Sequence, residues 1–173
     1  FLFLIFFSAG FSQAQVEDAK ISGVFKKDFD KAISLWNREQ NFMGALPLFK
    51  SLLDQDPNNA FLKFAIGDCY VNSPNEKTKA LSYLKEAVDS VVPSMSGFNY
   101  ENYKNRLAPY DVYYVLGIAL RINYEFDKAL AAFDKYESLM GAVLSEQDKK
   151  DLKREIAYCK TGKTLTKYPV EIE

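Results

Sequence analysis

The feature that most constrains this chain is an internal repeat made of an apolar helix, a turn and a second helix that carries alanine. In each copy the alanine is followed by a second residue four positions later and a third residue three beyond that. These residues are Ala45, Phe49 and Leu52, then Ala80, Leu84 and Ala87, then Ala129, Phe133 and Tyr136. Spacings of three and four place side chains on one face of a helix. We therefore predict an all-α stack of three helical hairpins.

The distance between copies reveals an insertion. Trp36 and Tyr70 hold equivalent places 34 residues apart, whereas Tyr70 and Leu120 are 50 residues apart. The surplus of about 16 residues coincides with a stretch rich in Gly, Ser, Asn and Tyr. The predicted repeats are 26–59, 60–93 and 110–142, with the insertion at 94–109.

Small residues and helix breakers support this division. Gly67 and Gly117, like the repeated alanines, would let neighbouring helices approach closely. Pro57 and Pro93 should end the second helix of their hairpins, because proline has no backbone N–H to donate to the preceding turn.

A final helix should cover the last hairpin. Ser145 and Asp148 resemble a capping box, and the apolar residues that follow are spaced along one helix face. We place this covering helix at 145–160, with Gly162 ending it in a left-handed conformation. The segment 161–173 is then expected to be a linker into a further domain.

The repeat resembles the tetratricopeptide repeat, in which large and small residues interlock between paired helices. An unrelated helical bundle with chance matches is the alternative. The resemblance implies a right-handed stack whose first helices line a concave groove that binds a protein or peptide. Register places ten residues in that groove: Asp30, Ser34, Asn37, Arg38, Phe64, Asp68, Asn72, Tyr114, Ile118 and Arg121.

The predicted groove does not resemble the carboxylate clamp of the chaperone-binding members of that family. Asp30, Ser34 and Ala65 stand at some of the positions where that clamp has Lys, Asn and Arg. The insertion adds Phe98, Tyr100 and Tyr103 as possible contact residues, since aromatic side chains are favoured at interfaces. Equally, they could fill the gap that the insertion opens between the second and third repeats.

Composition argues against several functional classes. Lys and Arg total 22 against 23 for Asp and Glu, so no excess of positive charge is present to bind a nucleic acid. Histidine is absent, which removes the commonest general base and zinc ligand. The carboxylates alternate with lysines, as on solvated helix faces. We expect a non-enzymatic protein without cofactor or metal, and with Cys69 and Cys159 as buried thiols.

The beginning of the sequence resembles an exported protein. Phe1 to Phe7 form an apolar run, and Ser12-Gln13-Ala14 suits signal peptidase, so residues 1–14 are predicted to be a signal peptide without its basic start. The run is short for a span of the bilayer, which makes a membrane tether the weaker alternative. Residues 15–160 would then form the helical domain.

A narrower resemblance concerns the last third of the chain. The stretches 123–129, 153–163 and 168–170 are similar to the N-terminal region of Bacteroidota envelope proteins of the OmpA family, which join such repeats to a β-propeller. Some of these proteins belong to type IX secretion or gliding machinery. The resemblance implies a periplasmic, outer-membrane-associated scaffold that reaches peptidoglycan only through a further domain. The alternative is a substrate-presenting appendage of an enzyme whose catalytic domain lies beyond residue 173.

Overall fold

The computed structural model describes residues 22–167, and this part of the chain is all-helical, which confirms the predicted fold class. The predicted signal peptide and residues 168–173 of the predicted linker lie outside the described range. Helix α1 spans 22–38 and ends in a π-helical turn, Ser34–Arg38. The six helices that follow within the described range are α2 (Phe42–Gln55), α3 (Ala60–Asn72), α4 (Ala80–Ala87), α5 (Asp111–Ile122), α6 (Phe126–Met140) and α7 (Glu146–Lys167).

The connections within the three helix pairs share one backbone feature. Gln40 between α1 and α2, Glu76 between α3 and α4, and Tyr124 between α5 and α6 all have positive φ, at 51°, 62° and 61°. Non-glycine residues rarely adopt this left-handed conformation. Gln40 and Tyr124 each precede the repeat alanine of the next helix by five residues, so the turn geometry recurs in the first and third pairs, whereas Glu76 precedes Ala80 by four and is followed by a 3-10 turn, Lys77–Lys79.

The predicted close approach of helices at glycine is confirmed. A Cβ atom added to Gly67 would lie 2.5 Å from Leu84 Cγ, and one added to Gly117 would overlap the ring of Phe133. Both contacts join the first helix of a pair to the second. The alanines at the repeat positions, Ala45, Ala80 and Ala129, are fully buried.

The core consists of two adjoining clusters. The first comprises buried residues of α1 to α4 with part of α5, and includes Phe29, Phe49 and Phe61. The second is built from α5, α6 and α7 around Phe133 and Leu152. Five partly buried residues pack against both clusters and so connect them: Leu81, Tyr113, Tyr114, Leu116 and Ile118.

The prediction that Pro93 ends a helix is wrong. Helix α4 already ends at Ala87, because the chain turns there and then pairs with the far end of the insertion. The Ala108 N–H donates to the Ser90 carbonyl at 2.9 Å, and the Val92 N–H donates to the Ala108 carbonyl at 3.0 Å. We call this pairing the neck of the insertion.

The final helix begins as predicted but continues further. Ser145 Oγ accepts from the Asp148 N–H at 3.1 Å and donates to the Asp148 carboxylate at 2.6 Å, so the capping box is confirmed. Helix α7 then continues past the predicted end to Lys167. Gly162 does not terminate it: a Cβ there would lie 2.5 Å from Phe126 Cζ, so the glycine allows α7 to pack on α6.

Candidate protein-interaction site

A polar pocket of about 460 Å³ lies between α1 and the insertion. Its lining includes the predicted groove residues Asp30 and Arg38, together with Lys26, Ile33, Asn99 and Glu101. Arg38 Nη2 donates to Glu101 Oε1 at 2.7 Å, which ties the end of α1 to the insertion across 63 residues of sequence. A Lys26–Asp30 pair at 2.5 Å lies one helical turn apart on α1. The pocket thus presents charges of both signs.

The π-helical turn at the end of α1 positions several of the predicted residues. The Glu39 N–H donates to the Ser34 carbonyl at 3.0 Å, five residues back instead of four. This extra residue changes which side chains face the core, and π-turns are frequent at functional sites. Trp36 is buried by it, while Asn37 and Arg38 are exposed. Ser34 is half-buried and donates to Glu39 Oε1 at 3.2 Å.

Trp36 connects this turn to α3. Its indole Nε1 donates to Asp68 Oδ2 at 2.7 Å, and its ring makes edge contacts with Phe49 and Phe64 at centroid distances of 6.0 and 5.9 Å. Phe64 is only 2% exposed. The assignment of Phe64 to the surface of a groove is therefore wrong, because the side chain belongs to the core beneath it.

Asp68 is a carboxylate in an unusual environment. Burial is the main cause that raises its pKa to about 6, and the nearby Asp111 acts in the same direction. Hydrogen bonds from Trp36 and from Asn72 Nδ2, the latter at 3.0 Å, oppose the shift because they stabilise the charged form. Asn72 itself is exposed, so its amide is available at the surface beside Asp68.

The insertion packs against the first two helix pairs. The Tyr100 ring lies 6.2 Å from Trp36 and 6.4 Å from Phe61, and 5.0 Å from Phe98. Its hydroxyl donates to Asp111 on α5, and burial raises the pKa of this phenol. These contacts support the packing alternative for Phe98 and Tyr100.

Tyr103 has a different environment from the other two aromatic residues. Its ring lies 5.9 Å from Lys26 Nζ and 5.8 Å from Lys104 Nζ, within the range of cation–π contacts. It is half-buried and lines a second pocket of about 300 Å³ with Phe25 and Arg106. Of the three aromatic residues of the insertion, Tyr103 therefore offers a face at the rim of a pocket.

The remaining predicted groove residues lie on α5. Tyr114 contacts Phe133 and Tyr136 at centroid distances of 5.8 and 5.3 Å, and Ile118 packs against both core clusters. Arg121 Nε donates to Glu155 Oε2 at 2.8 Å on α7. The guanidinium also lies 5.5 Å from the centre of the Tyr158 ring, and Tyr158 is 52% exposed.

The structure divides the predicted set into an α1–α3 group beside the insertion and an α5 group beside α7. Sequence reasoning missed Lys26, Asn99 and Glu101, which complete the polar pocket. No local pattern marks them, since Glu101 approaches Arg38 only because the insertion folds back on α1. Periodicity could have placed Lys26 beside Asp30, four residues along the same helix face.

Both cysteines are free and buried, in agreement with the prediction that they pack as small apolar residues. Burial raises the pKa of the Cys69 and Cys159 thiols. Within residues 22–167, no three His, Cys, Asp or Glu side chains are grouped to hold a metal ion. None of the helices described is both long and apolar enough to span a bilayer.

Comparison of the sequence with models of known protein families gives no match, and comparison with curated proteins gives none either.

Proposed function

We propose that this chain is a non-catalytic scaffold of tetratricopeptide type that binds an extended segment of a partner protein. The proposed binding surface, which we call the inner face, consists of the exposed predicted residues of α1 and α3 with the rim of the insertion. The observation that carries the proposal is the polar pocket of about 460 Å³ between α1 and the insertion.

The chemistry of the inner face suits an extended peptide. Asn37, Asn72 and Asn99 are exposed amides. Asn37 can both donate to a peptide carbonyl and accept from a peptide N–H. Asn99 can donate through Nδ2, and Asn72, whose Nδ2 already donates to the Asp68 carbonyl and carboxylate, can accept through Oδ1. The Arg38–Glu101 pair adds one charge of each sign. Hydrogen bonds to a main chain give affinity without requiring one sequence, while the charges select among side chains. The expected ligand is a polar peptide segment of mixed charge.

We further propose that this scaffold is exported to the periplasm, where it docks a partner as part of an outer-membrane or peptidoglycan-associated protein, with type IX secretion or gliding machinery as the narrower candidate. This proposal is supported by the apolar run with its Ser12-Gln13-Ala14 triplet and by the similarity of 123–129 and 153–163 to envelope proteins of the OmpA family. Peptidoglycan contact would require a further domain.

Site-specific photo-crosslinking tests the inner face. A photo-crosslinking residue placed at Asn37 or Asn99 should form the same covalent adduct in intact cells, because Asn99 lines the polar pocket and the exposed Asn37 is next in sequence to Arg38, which also lines it. The matched control is Lys50, which is exposed on α2 and does not line that pocket. An adduct of equal yield at Lys50, or none at Asn37 and Asn99, would contradict the proposal.

A further inference from the structure

A second groove lies between α4, α5 and α6. It has a volume of about 350 Å³ and a floor of Tyr113, Leu116 and Leu120 from α5. Ala131 and Ala132 form the wall on the α6 side. The groove is open to solvent and lies at the junction of the two core clusters, against both of which Tyr113 and Leu116 pack.

This groove contains none of the residues of the inner face, which lie on α1, α3 and the insertion, and on α5 it is turned away from the residues predicted for a binding groove. With 3.6 residues per turn, Tyr114, Ile118 and Arg121 share one side of the helix. The groove residues of the same helix point about a third of a turn away from them. A ligand in the groove would therefore leave the inner face free.

Three lysines border the apolar floor. Lys85 is on α4, and Lys128 and Lys135 are on α6. Glu125 pairs with Lys128 at 2.5 Å and with Lys85 at 3.4 Å, whereas Lys135 makes no ion pair among the described residues. One carboxylate among three ammonium groups leaves the rim with an excess of positive charge.

We propose that this groove binds an acidic amphipathic helix of a partner protein. The partner would place large apolar side chains on Leu116 and Leu120 and its Asp or Glu side chains beside the lysines. The alanines on the α6 wall favour a helix as the occupant, because small residues let a second helix backbone approach. The volume accommodates a few large side chains, in keeping with apolar anchors spaced three and four residues apart on the partner.

A protein partner fits this surface better than a membrane. The apolar residues are recessed between the lysines, so they cannot project into a bilayer while the charges remain at its surface. Three lysines would also contribute only about 1 kcal/mol each to the attraction toward anionic lipid. The excess positive charge instead complements a row of carboxylates at the edge of a helix.

Fluorescence anisotropy with three synthetic peptides and the full chain tests this proposal. Each peptide has about 18 residues, with leucines spaced three and four apart, and its flanking positions are all Glu, all Gln or all Lys. The Glu peptide should bind at least tenfold more tightly than the Gln peptide, and the Lys peptide should not bind. Equal affinity for the three peptides, or no binding of the Glu peptide, would overturn the proposal.

Variants assign the binding to the groove. Lys135→Glu should weaken binding of the Glu peptide about three- to tenfold, because an attraction at the rim becomes a repulsion. Lys50→Glu makes the same change in net charge on α2, away from the groove, and should have no effect. Ala131→Trp is at an exposed position of the groove wall and should block binding while leaving the circular dichroism spectrum unchanged.

Vesicles containing anionic phosphatidylglycerol distinguish the membrane alternative. We expect the unmodified chain to sediment with these vesicles no more than the Lys135→Glu variant does. The protein-partner proposal would be overturned if the chain sedimented with the vesicles, if this sedimentation required Lys135, and if the Glu peptide did not compete with it. Loss of crosslinking at Asn37 bears on the proposed function and not on this groove, since the inner face lies on α1, α3 and the insertion and the groove on α4, α5 and α6.

Discussion

At the scale of single residues, two glycines set how closely the helices of a pair can pack. Gly67 faces Leu84 and Gly117 faces Phe133, and each large residue is fully buried. The residues at equivalent positions of the repeats are thus the residues that contact each other across each hairpin. A methyl group at either glycine has no free space, because the facing side chain occupies it.

Gly117→Ala should lower the free energy of unfolding by about 1–3 kcal/mol, because the added methyl group overlaps the buried Phe133 ring and forces the helices apart. Urea denaturation followed by circular dichroism measures this change. The matched control is Gly23→Ala on α1, where the new Cβ has no neighbour within 4 Å. That variant should gain up to about 1 kcal/mol from helix propensity. Equal changes in the free energy of unfolding at the two sites would show that the space beside Gly117 does not limit how closely α5 and α6 pack.

How well the sequence predicts the environment of a residue depends on how far along the chain its contacting residues lie. The roles of Gly67 and Gly117 could be predicted, since helical spacing alone pairs them with residues of the next helix. The environment of Asp68 could not, because its burial and its hydrogen bond with Trp36 depend on packing against α1. The prediction for Phe64 is wrong for a related reason: Trp36 of α1 packs on a position that periodicity places on the surface.

At the scale of elements, the insertion is a structural part of the first two helix pairs. Its backbone is tied to α3, since the Ala60 N–H donates to the Arg106 carbonyl at 2.9 Å. Asn59, the N-cap residue of α3, donates to the Asn105 carbonyl at 3.1 Å. The insertion therefore supplies partners for polar groups at the start of a buried helix, where unpaired groups would be costly.

Tyr100→Ser should destabilise the chain by about 2–4 kcal/mol, because the ring packs on Trp36 and Phe61 and the hydroxyl binds Asp111. Tyr103→Ser should cost less, about 1–2 kcal/mol, since the half-buried Tyr103 ring packs against the first core cluster and makes cation–π contacts but lacks the close ring contacts of Tyr100. Thermal denaturation compares the two. Trypsin cleavage after Lys104 and Arg106 should accelerate in the first variant alone. Similar effects in both variants would mean that the insertion is held by its neck and not by Tyr100.

The helix ends illustrate where local sequence signals suffice. Ser145 and Asp148 predicted the start of α7 correctly because a capping box is a contact between near neighbours. Pro93 and Gly162 misled, since the ends of α4 and α7 depend on the neck and on the Phe126 ring. The π-helical turn at Ser34–Arg38 also lacks a local signal. Its geometry follows from placing Trp36 among residues of α2 and α3.

At the scale of the whole molecule, the two core clusters are connected through α5. Leu116 and Ile118 pack against both, and the Arg121–Glu155 pair joins α5 to α7. In a helical stack each layer stabilises its neighbours, so loss of the last layer weakens the whole array. We expect this chain to unfold in a single transition.

Leu152→Ala should cost about 2–5 kcal/mol, because Leu152 is only 2% exposed in the second cluster. Trp36, the sole tryptophan, is in the first cluster, so its fluorescence reports unfolding at a distance. The denaturation midpoints from tryptophan fluorescence and from circular dichroism should fall together. Leu165→Ala, at a residue that is 66% exposed on the same helix, should change neither. A fall in the circular dichroism midpoint alone would show that the two clusters unfold independently.

The neck has a consequence for how this chain tolerates change in length. The hydrogen bonds of Ala108 with Ser90 and Val92 return the chain to the place where it left the helical stack. Residues between these points therefore add nothing to the separation of α4 and α5, which explains why the repeat register resumes after the insertion. A loop of any length that closes at the neck would preserve the helices on either side. The neck is thus a graft point for a foreign binding loop, provided that the new loop also covers Trp36 and Phe61 and replaces the hydrogen bonds that the insertion makes with Asn59 and Ala60.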